Sequence, residues 1–388
     1  MALDAVRGYL ELGLRLNRHL DGLVDGYFGP PEIPAAVAAE PLRAPGDLVA
    51  DAAALRESLD GLEPTRARWL DAQLLGLETV ARRLAGEEIS FVDEVERCYG
   101  IRPQRVPEEV FEEAHEELEE LLQGPGSLAD RFQAWQDGDA LSPEQLAPFA
   151  ESLALDLRRR TADAFGLPAG ESVRFELVGS EPWAAYNYYE GGLHSRIAIN
   201  TDVPLAAERA LHMVAHETYP GHHTEHAWKE QLLVRDGGRL EEAVLMIGTP
   251  QALIAEGIAE TGARTLLGDG LEEVGGEHLA RVGIDFDPDH ARAVRRALGR
   301  LEGVAGNVAL MLHETGASRA EAIAYLTRWN LTSAQRAAKT IQFLSNPLWR
   351  SYLTTYADGE RVCAAWIDGD RERFRRLLTE QLTPADLL

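Results

Sequence analysis

The feature that most constrains this chain is a helix-breaking pair set inside a run of histidines. Residues 212–226 read His-Met-Val-Ala-His-Glu-Thr-Tyr-Pro-Gly-His-His-Thr-Glu-His and hold five of the eleven histidines. Clustered neutral imidazoles next to a carboxylate are the residue types a zinc hydrolase uses to hold its metal and to take a proton from water. Pro220 lacks an N–H, and its ring would clash with the His216 carbonyl in a straight helix. The stretch therefore departs from the H-E-x-x-H spacing of a zincin, since Pro220 stands four residues after His216.

Two imidazoles can share a metal on a straight helix only at i and i+4, as His212 with His216 or His222 with His226 do. Straight geometry would part His216 from His222 or His223 by about 9 to 10.5 Å along the axis. Pro220-Gly221 predicts a bend instead, because glycine reaches backbone conformations closed to other residues. Such a bend would bring His222 or His223 back toward His216. Glu217 beside His216 favours His216 as a ligand in every version, and the residues alone leave its partner open.

A further donor is read from a separate segment. Residues 250–267 are apolar or small on nearly every side, which predicts a buried helix, yet Glu256, Glu260 and Arg264 line one face of it. A buried carboxylate needs a partner. Arg264 can serve Glu260 one turn away, which leaves Glu256 for a metal; the competing reading is a closed network of the three charges.

Around these segments the chain reads as mainly α. Helical periodicity runs through residues 3–20, 48–60, 66–85, 143–166 and most of the chain beyond 224, including 239–247 and 347–379. Pro107 opens an acidic helix that Gly124 ends. Residues 27–31 read as a loop. Residues 172–178, 183–189 and 195–200 alternate like strands and predict a small antiparallel sheet, the only plausible seam between a helical lobe (about 1–170) and a lobe with the metal site (171–388). A single domain over 1–388 is the expected organisation.

Net charge of −26 argues against a nucleic-acid surface. Two cysteines make no disulfide framework, no stretch approaches a membrane span, and the first residues do not resemble a signal peptide, so a cytoplasmic location is expected.

His216-Glu217-Thr218-Tyr219-Pro220-Gly221-His222-His223, followed by Glu256-Gly257-Ile258-Ala259-Glu260, resembles a bacterial domain-of-unknown-function family with an H-E-x-x-P-G-H-H motif, assigned to gluzincin-like zinc metallopeptidases. Trp183-x-x-Tyr186-Asn187-x-Tyr189, the strand ending at Asn200, and Tyr356-x-x-Gly359 extend the likeness over about residues 20–365. Two departures are Ile258 in place of the usual Trp and the missing Pro-Gly-Gln-type sequence before Tyr356. The resemblance implies a helical metallopeptidase-like fold with a central cleft. It also implies Zn2+ on His216, His222 and Glu256, with His222 preferred over His223. Glu217 would be the base, with Tyr356 or His223 as oxyanion donor. The strand 195–200 would pair with substrate backbone, and Tyr186, Asn187, Tyr189 and Asn200 would line the substrate site, packing under the sheet being the competing role for the aromatic segment. The expected function is hydrolysis of short peptides. A zinc amidohydrolase acting on other amides and a non-catalytic metal or peptide binder are the alternatives.

Overall fold

The computed structural model describes residues 2–181, 183–202 and 204–388. The chain is mainly helical, as expected, with two small sheets set among the helices. Its buried apolar residues form a continuous cluster drawn from the whole length, from Ala5 to Leu387. Helix boundaries follow local chemistry. Ser318 accepts a hydrogen bond from the Glu321 N–H while Glu321 reaches back to the Ser318 N–H, which fixes the start of Arg319–Trp329. Pro64 stands at the first turn of Pro64–Leu84, where the missing N–H has no partner to lose. Helices Glu32–Ala39, Phe91–Tyr99 and Leu128–Gly138 were not apparent from periodicity, being only two to three turns long.

The first sheet pairs β1 (Val24–Tyr27) antiparallel with β5 (Val244–Met246). This corrects one expectation: 239–247 is a 3₁₀ turn (Leu240–Ala243) followed by β5, not a helix, while Tyr27, read as the start of a loop, is the last residue of β1. The cause is tertiary. β1 and β5 satisfy each other's backbone groups, a pairing between residues more than two hundred positions apart.

The second sheet contains β2 (Ser172–Val178), β3 (Ala185–Gly191) and β4 (His194–Asn200) in the order β2-β4-β3. The hairpin β3–β4 is antiparallel, but β2 runs parallel to β4, from Ser172 opposite His194 to Val178 opposite Asn200. The sheet is thus mixed, and β4 is its central strand. Both edges of β4 are occupied, so the expectation that residues 195–200 offer an edge to a peptide does not hold. The hairpin turn is fastened by Glu230, whose carboxylate accepts from the N–H of Gly192 and of Leu193, each at 3.1 Å, and from the Tyr189 hydroxyl at 2.6 Å.

Pro250–Leu267, here the glutamate helix, lies buried against Thr354–Ile367, the tyrosine helix. They cross at two glycines. A Cβ on Gly257 would lie 2.5 Å from the Gly359 carbonyl oxygen, and one on Gly359 would lie 2.6 Å from the Leu253 carbonyl oxygen. Neither neighbour is a flexible side chain that can step aside. Gly359→Ala is expected to lower stability by about 2–3 kcal/mol through overpacking. Gly306→Ala, where an added Cβ meets nothing within 4 Å, should be neutral or stabilising by up to about 1 kcal/mol. Urea-unfolding midpoints of the two variants check this contrast.

Candidate metal centre

The first histidine helix, Ala207–Glu217, ends where the sequence requires it to end, just before Pro220. The second, His222–Lys229, starts directly after Gly221. Between them the Tyr219–Pro220 peptide is cis. Gly221 donates its N–H to the Ala215 carbonyl at 3.2 Å, so the chain doubles back onto the helix it has just left. Any side chain at 221 would be intolerable: a Cβ there would sit 1.9 Å from the His216 carbonyl oxygen. Pro220 in turn rests on Gly262 of the glutamate helix, whose added Cβ would meet the proline ring at 3.0 Å.

This return brings His222 to His216. The two imidazoles stand perpendicular, with centroids 4.7 Å apart. Both aim Nε2 at Glu256: His216 Nε2 lies 3.5 Å from one carboxylate oxygen, and His222 Nε2 lies 3.7 Å from the other. One donor atom from each of His216, His222 and Glu256 lies within 4.8 Å of the others. The bent pair is therefore the one the fold assembles. Of the straight pairs, His212 turns to Glu272, at 3.2 Å, and His226 stacks 5.9 Å from His222 without joining the donor group.

Two imidazole nitrogens and a carboxylate oxygen are a donor set suited to zinc. Glu256 Oε2 supplies the fit test: it is buried and has no hydrogen-bond partner. An oxygen in that state has unused acceptor capacity, and the Nε2 atoms of His216 and His222 both lie within 3.7 Å of the same carboxylate.

The surroundings orient these donors. His216 Nδ1 lies 3.3 Å from Glu260, so the far side of the ring has a carboxylate behind it. Glu260 thus serves His216 rather than Arg264, which is exposed. Tyr352 donates its hydroxyl to Glu256 Oε1. Tyr356, in the first turn of the tyrosine helix, stacks on His216 with centroids 6.4 Å apart. Glu217 is only 9% exposed.

Crowding of carboxylates shifts the titration of the whole group. Burial works against a charged His216, but the Glu260 hydrogen bond and the charges of Glu260, Glu217 and Glu256 prevail and push it up to about 10. Burial pushes Glu256 up to about 8 despite His216 and Tyr352. Burial also raises Glu217, with His216 opposing and the Glu260 charge adding. His222 is held well below the usual histidine range by burial and by the charges of His216 and His226.

Several expected site residues have other roles. His223 is fully buried with both ring nitrogens engaged, Nδ1 with Ser195 at 2.8 Å and Nε2 with Glu171 at 2.9 Å. Glu171 also accepts from Tyr219 at 2.5 Å and pairs with Arg158 at 2.6 Å. His223 therefore faces away from the donor group and is unsuited to oxyanion stabilisation; it locks the second histidine helix to β4. Asn187 donates to the Glu217 carbonyl at 2.7 Å and so holds the end of the first histidine helix. Tyr189 is buried on Glu230. Asn200 donates to the carbonyls of Glu181 and Trp183 and so closes the loop before β3. Tyr186 is partly open, in an aromatic group with Trp183 and Tyr188. A cavity of about 580 Å³ elsewhere, lined by residues such as Leu141, Pro143 and Leu205, contains no histidine.

Sequence reasoning missed Tyr352 and the true partner of Glu260. Tyr352 stands four residues before Tyr356, which was the available signal, whereas the partner of Glu260 is His216 on another helix, which spacing along the glutamate helix could not show. Gly221→Ala should separate the two histidine helices. The expected outcome is a loss of about 3 kcal/mol or more in stability, with far-UV dichroism near that of the parent, read by thermal unfolding.

No protein-family model and no curated protein matches the chain. Among solved structures it is similar to "the putative lipoprotein from Colwellia psychrerythraea", at 15% identity and a TM-score of 0.52, over 88% of this chain and 65% of that one. A second similar structure is "a putative lipoprotein of unknown function from Shewanella oneidensis", at 11% identity and a TM-score of 0.48, over 87% and 69% of the two chains. The chain spans just under two thirds of the first neighbour's length. At such identities the likeness concerns the fold alone.

Proposed function

We propose that the chain is a zinc-dependent hydrolase of peptide bonds in short peptides. The observation that carries this reading is the convergence of His216, His222 and Glu256 within 4.8 Å, with the carboxylate of Glu217 on the residue that follows the first of them. A bound zinc ion supplies Lewis-acid polarisation of the scissile carbonyl and makes water acidic enough to be deprotonated near neutral pH.

The protein's own groups do the rest. Glu217, raised by burial toward the working range of a general base, accepts the proton of the attacking water and returns it to the leaving amine. Tyr356 is the hydroxyl donor toward the developing oxyanion; burial and the charges of Glu256, Glu217 and Glu260 raise its pKa, so it keeps its proton. Glu260 fixes the His216 ring, and Tyr352 fixes the Glu256 carboxylate. Asn187 holds the backbone from which Glu217 projects.

No helix among the described residues is long and apolar enough to cross a membrane. Cys98 and Cys363 are free and buried, which suits the cytoplasmic location we favour.

Glu217→Gln is expected to retain zinc and lower kcat on a cleaved peptide by about 10²–10⁴-fold. Metal analysis alongside hydrolysis assays checks both halves. Full activity in that variant would refute the mechanism, and turnover of simple amides but of no peptide would move the assignment to an amidohydrolase. A second expectation concerns the metal alone. With His216 at about 10 and Glu256 at about 8 in the metal-free protein, both hold a proton at pH 7 that zinc must displace. Titration calorimetry in buffers of different ionisation enthalpy should register release of between one and about two protons per zinc. Tyr352→Phe should weaken zinc binding by about 10–100-fold.

A further inference from the structure

β2 is an outer strand of the second sheet, and its far edge pairs with no other strand among the described residues. In the ladder with β4, Ser172 donates its N–H to the Leu193 carbonyl, and the Val178 carbonyl accepts from the Thr201 N–H. Alternate residues of a strand turn to the same neighbour. Ser172, Arg174, Glu176 and Val178 therefore bond to β4, while the backbone groups of Val173, Phe175 and Leu177 point away from it. No backbone hydrogen bond from another described element reaches those three residues. Proline, lysine and bulges, which commonly guard such an edge, are all missing from β2, whose seven residues keep an unbroken register.

The side chains of this edge match themselves. Ser-Val-Arg-Phe-Glu-Leu-Val is centred on Phe175, with opposite charges one residue to either side and an aliphatic residue two to either side. Two copies laid antiparallel with Phe175 on a two-fold axis place Arg174 opposite Glu176 twice and Val173 opposite Leu177 twice. The outward backbone groups of Val173, Phe175 and Leu177 then meet one another as the hydrogen-bonded pairs. A slip of one residue turns groups already bonded to β4 toward the partner. A slip of two sets Arg174 against Arg174, or Glu176 against Glu176, and like charges directly opposite are unfavourable. Burial points the same way, since Val173 and Phe175 are only half-buried and Leu177 is 37% exposed. On the other face Arg174 and Glu176 stay accessible although Arg174 pairs with Glu190 at 2.6 Å and Glu176 with Arg196 at 2.9 Å.

We propose that the β2 edge is the docking surface for a second copy of this chain, joined strand to strand in antiparallel register about Phe175, so that the two sheets run on as one. The contact is isologous and closes after two copies, because each β2 has one free edge. No residue of β2 bonds to His216, Glu217, His222 or Glu256, so the dimer leaves the donor group as it is and stands whatever the protein hydrolyses. A single strand edge is a small interface, which sets the expected Kd on the order of 1–100 µM.

Sedimentation equilibrium of the full chain tests this, over about 1–300 µM and at about 0.15 M salt, where repulsion between two chains of net charge −26 is screened. The parent should show a monomer–dimer equilibrium. Arg174→Glu alone and Glu176→Arg alone each set like charges opposite one another twice and should weaken the dimer by about tenfold or more. Mixed in equal amounts, the two variants regain both opposite pairs, and association should return to within about threefold of the parent. Leu177→Pro removes an outward N–H without touching the ladder to β4 and should give a monomer. Thermal unfolding checks that each variant is folded, and the Leu177→Pro arm decides alone if a charge variant is not. A parent that stays monomeric throughout, as it would if the edge served a foreign extended peptide, overturns the proposal. Variants that associate as tightly as the parent, or a mixture no tighter than its parts, overturn it as well.

Discussion

Close approach of two helices at Gly257 and Gly359 is the constraint on which the rest of this site depends. Without side chains at either position, the backbones meet at a distance that any Cβ would forbid. That contact sets Glu256, the residue before Gly257, against Tyr352, just ahead of the tyrosine helix, and near Tyr356, about one turn before Gly359. A wider crossing would leave the glutamate without its tyrosine partner and would move the ring that stacks on His216. A second glycine of the same helix, Gly262, receives Pro220 and so ties the reversal between the histidine helices to the same scaffold. Three segments distant in sequence are thus registered by contacts that only glycine permits.

The electrostatics follow from that packing. Glu217, Glu256 and Glu260 are gathered around two imidazoles where water is scarce; burial, with repulsion between carboxylates adding, raises Glu217 and Glu256, and the Glu260 hydrogen bond and the carboxylate charges strengthen the hold of His216 on its proton. Helices packed this tightly do not gather carboxylates for stability, since each loses hydration with incomplete repayment. In the proposed zinc site a divalent cation would resolve this conflict, and the three carboxylates would divide into a ligand, a base and a support for the first histidine.

How much of this was legible in the sequence depends on distance along the chain. The His-Glu-x-x-Pro-Gly-His bend was readable because a proline and a glycine act on their own neighbours. Glu256 was readable because a charge on an otherwise apolar helix has to be explained by burial alone. His223 was harder, since it adjoins His222 and differs only in which side of the helix it faces; the choice is made by Glu171 and Ser195, about fifty and thirty residues away. The order of the second sheet was likewise hidden. Alternation marked all three strands, but nothing local says that β4 slides between β2 and β3.

The clamp formed by Glu171 and the fastening made by Glu230 bear on how the molecule can move. Glu171 ties the beginning of the second histidine helix to the start of β2, and Glu230, just past the end of that helix, ties it to the turn between β3 and β4. The helix is thereby bolted at both ends to one small sheet, and the two behave as a single plate. The glutamate and tyrosine helices, joined at their glycines, form the opposing block. Between plate and block the chain passes from the first histidine helix to the second through the short reversal Thr218–Gly221, whose Pro220 rests on Gly262. Its length is held by contacts on both sides, so an insertion of even one residue there would shift His222 relative to His216, whereas extra residues in the exposed turn after β2 would leave both where they are.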